Sequence, residues 1–124
     1  WSRDEMELLP PRSACLIASR AAGMAPPLDT VWADLRDPEG FAASAKRAAD
    51  LGFQGKMCIH PDQIAPTNAA FTPDAATLEK ARMVVAAFDE AERQGLASIQ
   101  LDGQFIDYPI VARARQVLAR GGFV

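Results

Sequence analysis

The sequence is poor in the residue types that build metal clusters and disulfide frameworks. It has one histidine, His60, and two cysteines, Cys15 and Cys58, among 124 residues. The cysteines lie far apart, each in an apolar stretch, which predicts two buried free thiols and argues against a disulfide framework or a zinc site. Free thiols favour a reducing compartment, so we expect a cytoplasmic protein.

Long apolar runs and basic clusters are missing as well. No stretch reaches the roughly eighteen apolar residues that a membrane-spanning helix needs, and the acidic, proline-broken start WSRDEMELLPP is unlike a signal peptide. The 13 lysines and arginines are scattered among 16 acids, and the net charge is -3. We therefore expect neither a membrane nor a nucleic acid as a partner.

What remains is the composition of an ordinary globular protein. Hydrophobic residues make up 49% of the chain and charged residues 23%, close to the average for folded domains. The length suits a single domain that buries a core. Because the chain opens on Trp1 and not on Met, we expect it to be a piece of a longer protein.

The first half predicts helices that alternate with short strands. Pro10 and Pro11 predict a lead-in loop, followed by a helix over 13–22. LDTVWADL alternates like a strand, FAASAKRAADLGF predicts a second helix, and KMCIH has the nearly continuous apolar pattern of a strand buried on both faces. A strand–helix–strand series with short links is typical of a parallel α/β sheet or barrel.

The second half predicts a helix, a hairpin and another helix. Thr72-Pro73-Asp74 is a typical helix start, with the Thr72 hydroxyl as the expected N-cap and Pro73 in the first turn, and this helix should run to about Gln94. SIQL and QFID flank Asp102-Gly103, a strong hairpin signal. Pro109 opens the last helix, which should end at Gly121-Gly122. The apolar positions expected to be buried in the two helices are Leu78, Ala81, Val85, Phe88, Ile110, Val111, Ala114, Val117 and Leu118.

Three stretches form a long compound motif: AAGMAPPLDTVWADLRDPEGF, RAADLGFQGKMCIHPDQIAPTNAAFTP and DGQFIDYPIVARA. In their order and spacing they resemble the C-terminal part of the citrate lyase β-subunit-like, HpcH/HpaI aldolase family. This family includes the malyl- and citramalyl-coenzyme A lyases. The resemblance extends from about Arg12 to Leu118.

The resemblance implies an α/β fold, the C-terminal portion of a (β/α)8 TIM barrel followed by a helix–hairpin–helix lid segment. Residues 1–66 would form the last βα units, with strands at 27–33 and 55–60. Residues 67–124 would form the lid and oligomerisation segment, which packs on a neighbouring subunit of a trimer or hexamer. Two parallel strands leave their faces and edges open, so the remaining strands must come from partner chains or from a missing part of the polypeptide.

The same resemblance implies a carbon–carbon lyase that uses Mg²⁺. Its substrate would be a 3-hydroxyacyl thioester of the citryl-, malyl- or citramalyl-coenzyme A type, or the acyl-carrier equivalent, and its products an acyl-coenzyme A and a 2-oxo acid. In the family the Mg²⁺ ligands come from earlier barrel strands, so we expect no metal ligands in this chain, which resembles a truncated and by itself inactive copy. A coenzyme A-independent 2-oxo acid aldolase and a non-catalytic assembly or interaction remnant are the alternatives.

Five residues are candidates for the site. Asp107 matches the family's ID-x-P aspartate, which resembles an acid/base residue delivered into the adjacent subunit's active site; on spacing alone it is a helix N-cap. Asp29 resembles the aspartate of the family's A-I-D stretch, near the thioester or coenzyme pocket, or else is a strand-end acid bonded to backbone amides. Ile59, His60 and Pro61 resemble the family's IHP and would line that pocket. His60 lacks the neighbouring ligands of a zinc site.

Nearby polar residues have plainer interpretations. Lys56 is expected at the surface, with a phosphate contact as the alternative. Asp34 and Asp37 are expected to be solvated or to cap the next helix, with a ligand contact as the less favoured reading.

Overall fold

A computed structural model of the chain describes residues 1–121, which form a mixed α/β fold. The chain divides into two compact units, the first Trp1–Phe71 and the second from Thr72 onward. The predicted boundary after residue 66 falls inside the last helix of the first unit. None of the helices in residues 1–121 is both long and apolar enough to span a bilayer.

The first unit is a strand–helix–strand element flanked by two further helices. Its elements are α1 (Leu9–Ala21), β1 (Leu28–Asp29), α2 (Pro38–Leu51), β2 (Gly55–Lys56) and α3 (Ile64–Phe71). The strands are parallel, with Leu28 opposite Gly55 and Asp29 opposite Lys56. The helix α2 is therefore the crossover connection that a parallel pair requires.

The helix α2 is fixed at both ends by its own sequence. The Asp37 side chain accepts a hydrogen bond from the Gly40 amide at 2.9 Å, so the capping role favoured for Asp37 is confirmed. At the other end Gly52 adopts the left-handed conformation, with φ 109°, which glycine adopts without steric cost. Between these ends α2 buries Phe41, Ala45 and Ala48.

The expectation that Pro10 and Pro11 exclude a helix is wrong. The helix α1 begins at Leu9, so both prolines lie in its first turn. The amides of a first turn have no intrahelical acceptor, and proline's fixed φ suits a helix start. By the same reasoning Pro66 is tolerated in the first turn of α3, a helix that the sequence did not predict.

Both strands are shorter than the predicted 27–33 and 55–60. Pairing ends at Asp29 and Lys56, and Met57, Cys58 and Ile59 are exposed. The prediction of a strand buried on both faces is therefore wrong for this run. A two-stranded sheet has no further strands to extend the ladder, so its apolar continuation stays open to solvent.

The two thiols are unpaired, as predicted, but they are exposed and not buried. Cys15 lies on an exposed position of α1, and Cys58 lies in the apolar run that follows β2. The wrong prediction of thiol burial has the same cause as the wrong prediction of strand length. In both cases the apolar sequence predicts a covered position, and the described residues do not cover it.

The second unit has the predicted order of helix, hairpin and helix. Its elements are α4 (Ala75–Arg93), β3 (Ser98–Leu101), β4 (Gln104–Asp107) and α5 (Tyr108–Gly121). β3 and β4 are antiparallel, and their turn has positive φ at both Asp102 (49°) and Gly103 (76°). Two positive φ values are the mark of a type I′ turn, which suits the twist of a hairpin. The predicted helix end at Gly122 lies outside the described residues.

The second unit packs α4 and α5 against one face of the hairpin. Its core consists of Ala81, Val84, Phe88, Ile106, Val111 and Ala114. The rings of Phe88 and Tyr108 meet edge to face with centroids 5.1 Å apart, a favoured aromatic geometry. The core thus joins both helices and β4 through apolar side chains.

The predicted helix details need three corrections. The N-cap of α4 is Asp74, which accepts a hydrogen bond from the Thr77 amide at 2.7 Å, and not Thr72. Hydrogen bonding from Thr77 also lowers the pKa of Asp74. Ile110 is exposed, and Leu78, Val85, Val117 and Leu118 are only partly buried. Burial of Ala81, Phe88, Val111 and Ala114 is confirmed.

Replacing Phe88, which is 1% exposed, should destabilise the second unit strongly. We expect Phe88→Ala to lower its free energy of unfolding by about 3–5 kcal/mol, because a buried aromatic leaves a cavity. Phe105→Ala is the control, since Phe105 is 63% exposed, and should change stability by less than about 0.5 kcal/mol. Hydrogen exchange of the α4 and α5 amides at increasing urea concentration measures the free energy of unfolding of both variants. Equal effects of the two variants would contradict this assignment of the core.

Candidate functional site

The first unit encloses a network of charged side chains that joins α1 to both strands. Arg12, on α1, donates from Nε to Asp29 Oδ1 and from Nη2 to Asp29 Oδ2, both at 2.9 Å. Lys56 Nζ donates to Asp29 Oδ2 at 2.7 Å. Because Asp29 and Lys56 are opposite each other in the parallel pair, the strand register itself brings these two charges together.

Glu5 forms the second acidic centre of the network. It accepts from Arg12 Nη1 at 3.1 Å, from Ser44 Oγ at 2.8 Å and from Arg47 Nη2 at 3.1 Å. Burial alone would raise the pKa of Glu5, but these hydrogen bonds together lower it below its ordinary value. Glu5 is therefore held as a carboxylate.

Arg12 connects the two acids. Burial alone would lower the pKa of Arg12, but Glu5 and Asp29 raise it above its ordinary value. The guanidinium thus stays charged between two carboxylates, in the bidentate geometry that arginine favours. In a buried network of this kind each charge depends on its partners, and removal of one leaves the others uncompensated.

The setting of Asp29 differs from the plainer of its two interpretations, a strand-end acid bonded to backbone amides. Asp29 is 2% exposed, and its oxygens face two cations and not backbone amides. Its assignment to a thioester or coenzyme pocket stays a prediction. The surface location expected for Lys56 is wrong, because its side chain is buried against Asp29.

A cavity of about 310 Å³ lies beside this network in the first unit. Its walls are largely apolar, and Arg12 and Asp29 provide its charged groups. The residues that line it are Trp1, Leu8, Pro11, Arg12, Cys15, Pro27, Leu28, Asp29, Thr30 and Phe53. An apolar cavity with a few convergent polar groups is the usual form of a small-molecule site.

The candidates Ile59, His60 and Pro61 lie together in the exposed loop after β2. His60 Nδ1 accepts from the Asp62 amide at 3.3 Å and so caps the short 3₁₀ helix Pro61–Gln63. The Asp62 carboxylate is 3.5 Å from the same nitrogen. The ring is thus engaged in its own turn, and a pocket-lining role for the three residues stays a prediction.

Asp107 ends β4 in the second unit and stands immediately before α5. Its Oδ1 accepts from the Ile110 amide at 3.3 Å, which is the geometry of a helix cap. The carboxylate is partly exposed. The capping interpretation is confirmed, and the acid/base role stays a prediction.

Sequence reasoning missed Glu5, Arg12 and Gln63 as organising residues. Arg12 carried a signal, because it is a lone charge in the otherwise apolar stretch PPRSACLIA, and a buried charge requires a partner. Glu5 lies in a segment taken for a plain lead-in loop. Gln63 falls within the motif IHPDQ, but its burial depends on where two loops meet.

The described residues offer no ready site for a metal ion. Within residues 1–121, no group of three or more His, Cys, Asp or Glu side chains is placed to hold one. The carboxylates of Glu5 and Asp29 already bind cationic side chains. A Mg²⁺ ion therefore does not fit the acids of this part of the chain.

Comparison with known proteins identifies the family of this chain. A family model described as HpcH/HpaI aldolase/citrate lyase matches residues 1–61. The citrate lyase subunit beta of Leuconostoc mesenteroides subsp. cremoris is 41% identical over 93% of this chain. The chain belongs to the HpcH/HpaI aldolase/citrate lyase family. A second relative, the (3S)-malyl-CoA thioesterase of Cereibacter sphaeroides, is 42% identical over 86% of the chain.

The chain spans less than half the length of the relatives that it matches. It covers 38% of the Leuconostoc protein and 37% of the Cereibacter protein. The CitE protein of Mycobacterium tuberculosis, solved with magnesium, acetoacetate and coenzyme A, matches 90% of this chain and 40% of its own length, at TM-score 0.74 and 37% identity. A citrate lyase of Burkholderia xenovorans shares the fold at TM-score 0.76 and 23% identity, covering 96% of this chain and 36% of its own.

Removing the central acid should destabilise the first unit. We expect Asp29→Asn to lower the free energy of unfolding by about 3–5 kcal/mol, because Lys56 would keep a buried charge without its acid partner and Arg12 would keep only Glu5. Asp50→Asn, which breaks an exposed pair with Lys46, should cost less than about 1 kcal/mol. Both tryptophans, Trp1 and Trp32, lie in the first unit, so their fluorescence during urea unfolding reports on it. An Asp29→Asn protein as stable as Asp50→Asn would refute the network.

The lowered pKa of Glu5 should appear in the pH dependence of stability. Its unfolded value is near 4.5, so its contribution is complete above that pH and is lost as the pH falls through the lower folded value. We expect the unfolding free energy to decrease between pH 5 and pH 3, and Glu5→Gln to flatten that slope. The variant Asp50→Asn, which removes an exposed acid, should keep the wild-type slope. Urea titrations at several pH values supply the slopes, and parallel curves for wild type and Glu5→Gln would rule the assignment out.

Proposed function

We propose that this chain forms the C-terminal part of a carbon–carbon lyase that cleaves a 3-hydroxyacyl thioester into an acyl-coenzyme A and a 2-oxo acid. The observation that carries the proposal is identity of 41–42% to a citrate lyase subunit beta and a malyl-CoA thioesterase over 86–93% of the chain. The related CitE protein was solved with coenzyme A, magnesium and acetoacetate. Both products of the proposed reaction have counterparts in those ligands, a coenzyme A and an oxo acid.

In the proposed protein the first unit supplies the last strands of a TIM barrel. The parallel pair joined by α2 has the connectivity of a (β/α) repeat. Leu28, Met57 and Ile59 are large apolar side chains exposed on or just beyond the strands, and neighbouring strands of a closed barrel would cover such residues. Ligand-binding loops of barrels follow the carboxyl ends of the strands, where Ile59, His60 and Pro61 lie.

Asp107 is the proposed acid/base residue, acting from the lid on a neighbouring subunit. Cleavage of the carbon–carbon bond leaves the electron pair on the thioester fragment as an enolate, whose carbon must then accept a proton. The proton comes from the 3-hydroxyl: the Asp107 carboxylate accepts it as the hydroxyl-bearing carbon becomes the carbonyl of the 2-oxo acid, and the acid so formed then donates it to the enolate carbon and is a carboxylate again. The Ile110 amide holds Oδ1, which fixes the carboxyl group and leaves Oδ2 as the oxygen that transfers the proton.

The remaining parts of the proposal concern partners. Bound Mg²⁺ would polarise the oxygens of the oxo acid, and its ligands would come from outside residues 1–121. Ile59, His60, Pro61 and the Asp29 region would border the thioester or coenzyme A pocket. A trimer or hexamer in the cytoplasm is the expected assembly.

A second candidate reaction is hydrolysis of the thioester, because one relative is named a malyl-CoA thioesterase. The two reactions give different products from malyl-coenzyme A. Cleavage of the carbon–carbon bond yields acetyl-coenzyme A and glyoxylate, whereas hydrolysis yields malate and free coenzyme A. A non-catalytic assembly remnant and a coenzyme A-independent aldolase predict neither set of products.

Asparagine substitutions separate catalysis from capping. Asn caps a helix about as well as Asp, so Asp107→Asn should retain stability within about 0.5 kcal/mol but lose about 10²–10⁴-fold in kcat. Asp74→Asn, which alters the cap of α4, is the matched control and should keep full activity. The assay uses the natural gene product that contains this chain, with Mg²⁺ and malyl- or citramalyl-coenzyme A, and separates the products by chromatography.

The possible outcomes are distinct. An active Asp107→Asn enzyme would make Asp107 a cap and nothing more. A wild-type protein that releases neither set of products would overturn the lyase proposal and favour the assembly remnant.

A further inference from the structure

Gln63 is a buried amide at the point where the two parallel strands part. It is 5% exposed and lies at the end of the turn Pro61–Gln63. Its Oε1 accepts from the Ile59 amide at 2.9 Å, and its Nε2 donates to the Trp32 carbonyl at 3.0 Å. Both polar atoms of the side chain are thus bound to backbone, one on each of two separate loops.

The two loops continue directly from the paired strands. Trp32 lies three residues beyond Asp29, and Ile59 lies three residues beyond Lys56. Since Asp29 and Lys56 are opposite each other in the register, Trp32 and Ile59 are at equivalent distances past the end of the sheet. Gln63 therefore bridges positions that would face each other if the strands had continued.

The backbone ladder stops just before this bridge. The Met57 amide donates to the Asp29 carbonyl at 3.0 Å. Donors in a parallel ladder recur every second residue, so the next would be the Ile59 amide, directed at the carbonyl of Val31. That amide bonds to Gln63 instead. A side-chain amide has the same donor and acceptor groups as a peptide bond, and here it takes the place of the missing strand contact.

A second set of contacts holds Gln63 itself in place. Its backbone carbonyl accepts from Thr67 Oγ1 at 2.7 Å, one turn along α3. The backbone amide of Gln63 donates to the His60 carbonyl at 3.1 Å. The bridge is therefore anchored to α3 and to the turn that His60 caps, and a shift of the side chain would disturb both loops.

We propose that Gln63 is a positioning residue: it holds the loops after β1 and β2 a fixed distance apart and so shapes the edge of the pocket formed by Ile59, His60 and Pro61. This inference rests on the proposed function for the identity of the ligand, a coenzyme A thioester. The Gln63 side chain links the two loops at a fixed spacing, which holds the Ile59–Pro61 backbone in one conformation. A pre-formed loop lowers the entropic cost of binding a ligand.

The test uses Gln63→Met, which keeps the length of the side chain and removes both hydrogen bonds, in the natural gene product. The exposed Gln54 gives the matched control Gln54→Met. Gln63→Glu is a second variant that retains the acceptor for Ile59 and loses the donor to Trp32. Hydrogen exchange of single amides and steady-state kinetics with malyl-coenzyme A are measured on each.

We expect Gln63→Met to speed exchange of the Ile59 amide by about tenfold or more, the size expected from one lost hydrogen bond, while the Met57 amide changes less than about threefold. The KM for the thioester should rise about tenfold with kcat nearly unchanged, because binding and not chemistry depends on the loop. Gln63→Glu should restore most of the Ile59 protection. Gln54→Met should match wild type in every measurement.

Three results would overturn the proposal. Unchanged Ile59 exchange would show that the bridge does not hold the loop. Equal loss of protection at Ile59 and Met57 would make Gln63 a general stabiliser of the sheet. Selective exposure of Ile59 with unchanged KM would separate the loop from the pocket. If the wild-type protein lacks activity, the proposed function fails and with it the pocket role, whereas the exchange data still decide whether Gln63 holds the two loops.

Discussion

The first unit depends on one buried charge pairing, the bidentate contact of Arg12 with Asp29 and the contact of Lys56 with the same carboxylate. Two strand residues that pair in register supply one acid and one cation, and α1 supplies the second cation. Glu5 completes the set by folding the N-terminal segment over Arg12. The short parallel sheet offers little backbone pairing of its own, so this network largely determines how α1 is attached to the strands.

The charged network and the Gln63 bridge stabilise different parts of the strand pair. Charged groups fix the register inside the unit, and a neutral amide fixes the spacing where the strands diverge. The loops beyond this divergence form the proposed pocket edge. The exposed apolar residues Met57 and Ile59 lie in the same loop, which is therefore well held in its backbone and open at its surface.

Local patterns predicted the parts of this fold that depend on near neighbours along the chain. The strand–helix–strand order, the cap at Asp37, the Asp102-Gly103 turn and the core positions Phe88 and Val111 all follow from short-range chemistry. The second unit was predicted most completely, because a hairpin between two helices satisfies its own hydrogen bonds and covers its own apolar face.

The failures share a different cause. Strand length, thiol burial and the place of Lys56 depend on which distant residue covers each group, and a periodic pattern carries no such information. Of the candidate site, the sequence indicated Asp29 and the loop at His60, but not that Arg12 and Lys56 are the side chains that contact Asp29. Asp107 shows the remaining ambiguity, since one carboxylate satisfies the geometry of a cap whether or not it also transfers a proton.

The composition of the buried network has a consequence for how this sequence can change over generations. Its members come from the N-terminal segment, α1, β1, α2 and β2, so nearly every element of the first unit contributes a charge or a hydroxyl. An apolar core of the same volume can be as stable as a buried ion network, but single substitutions that lead to it pass through an uncompensated charge. Descendants of this chain are therefore expected to keep the network whole or to replace several of its members together.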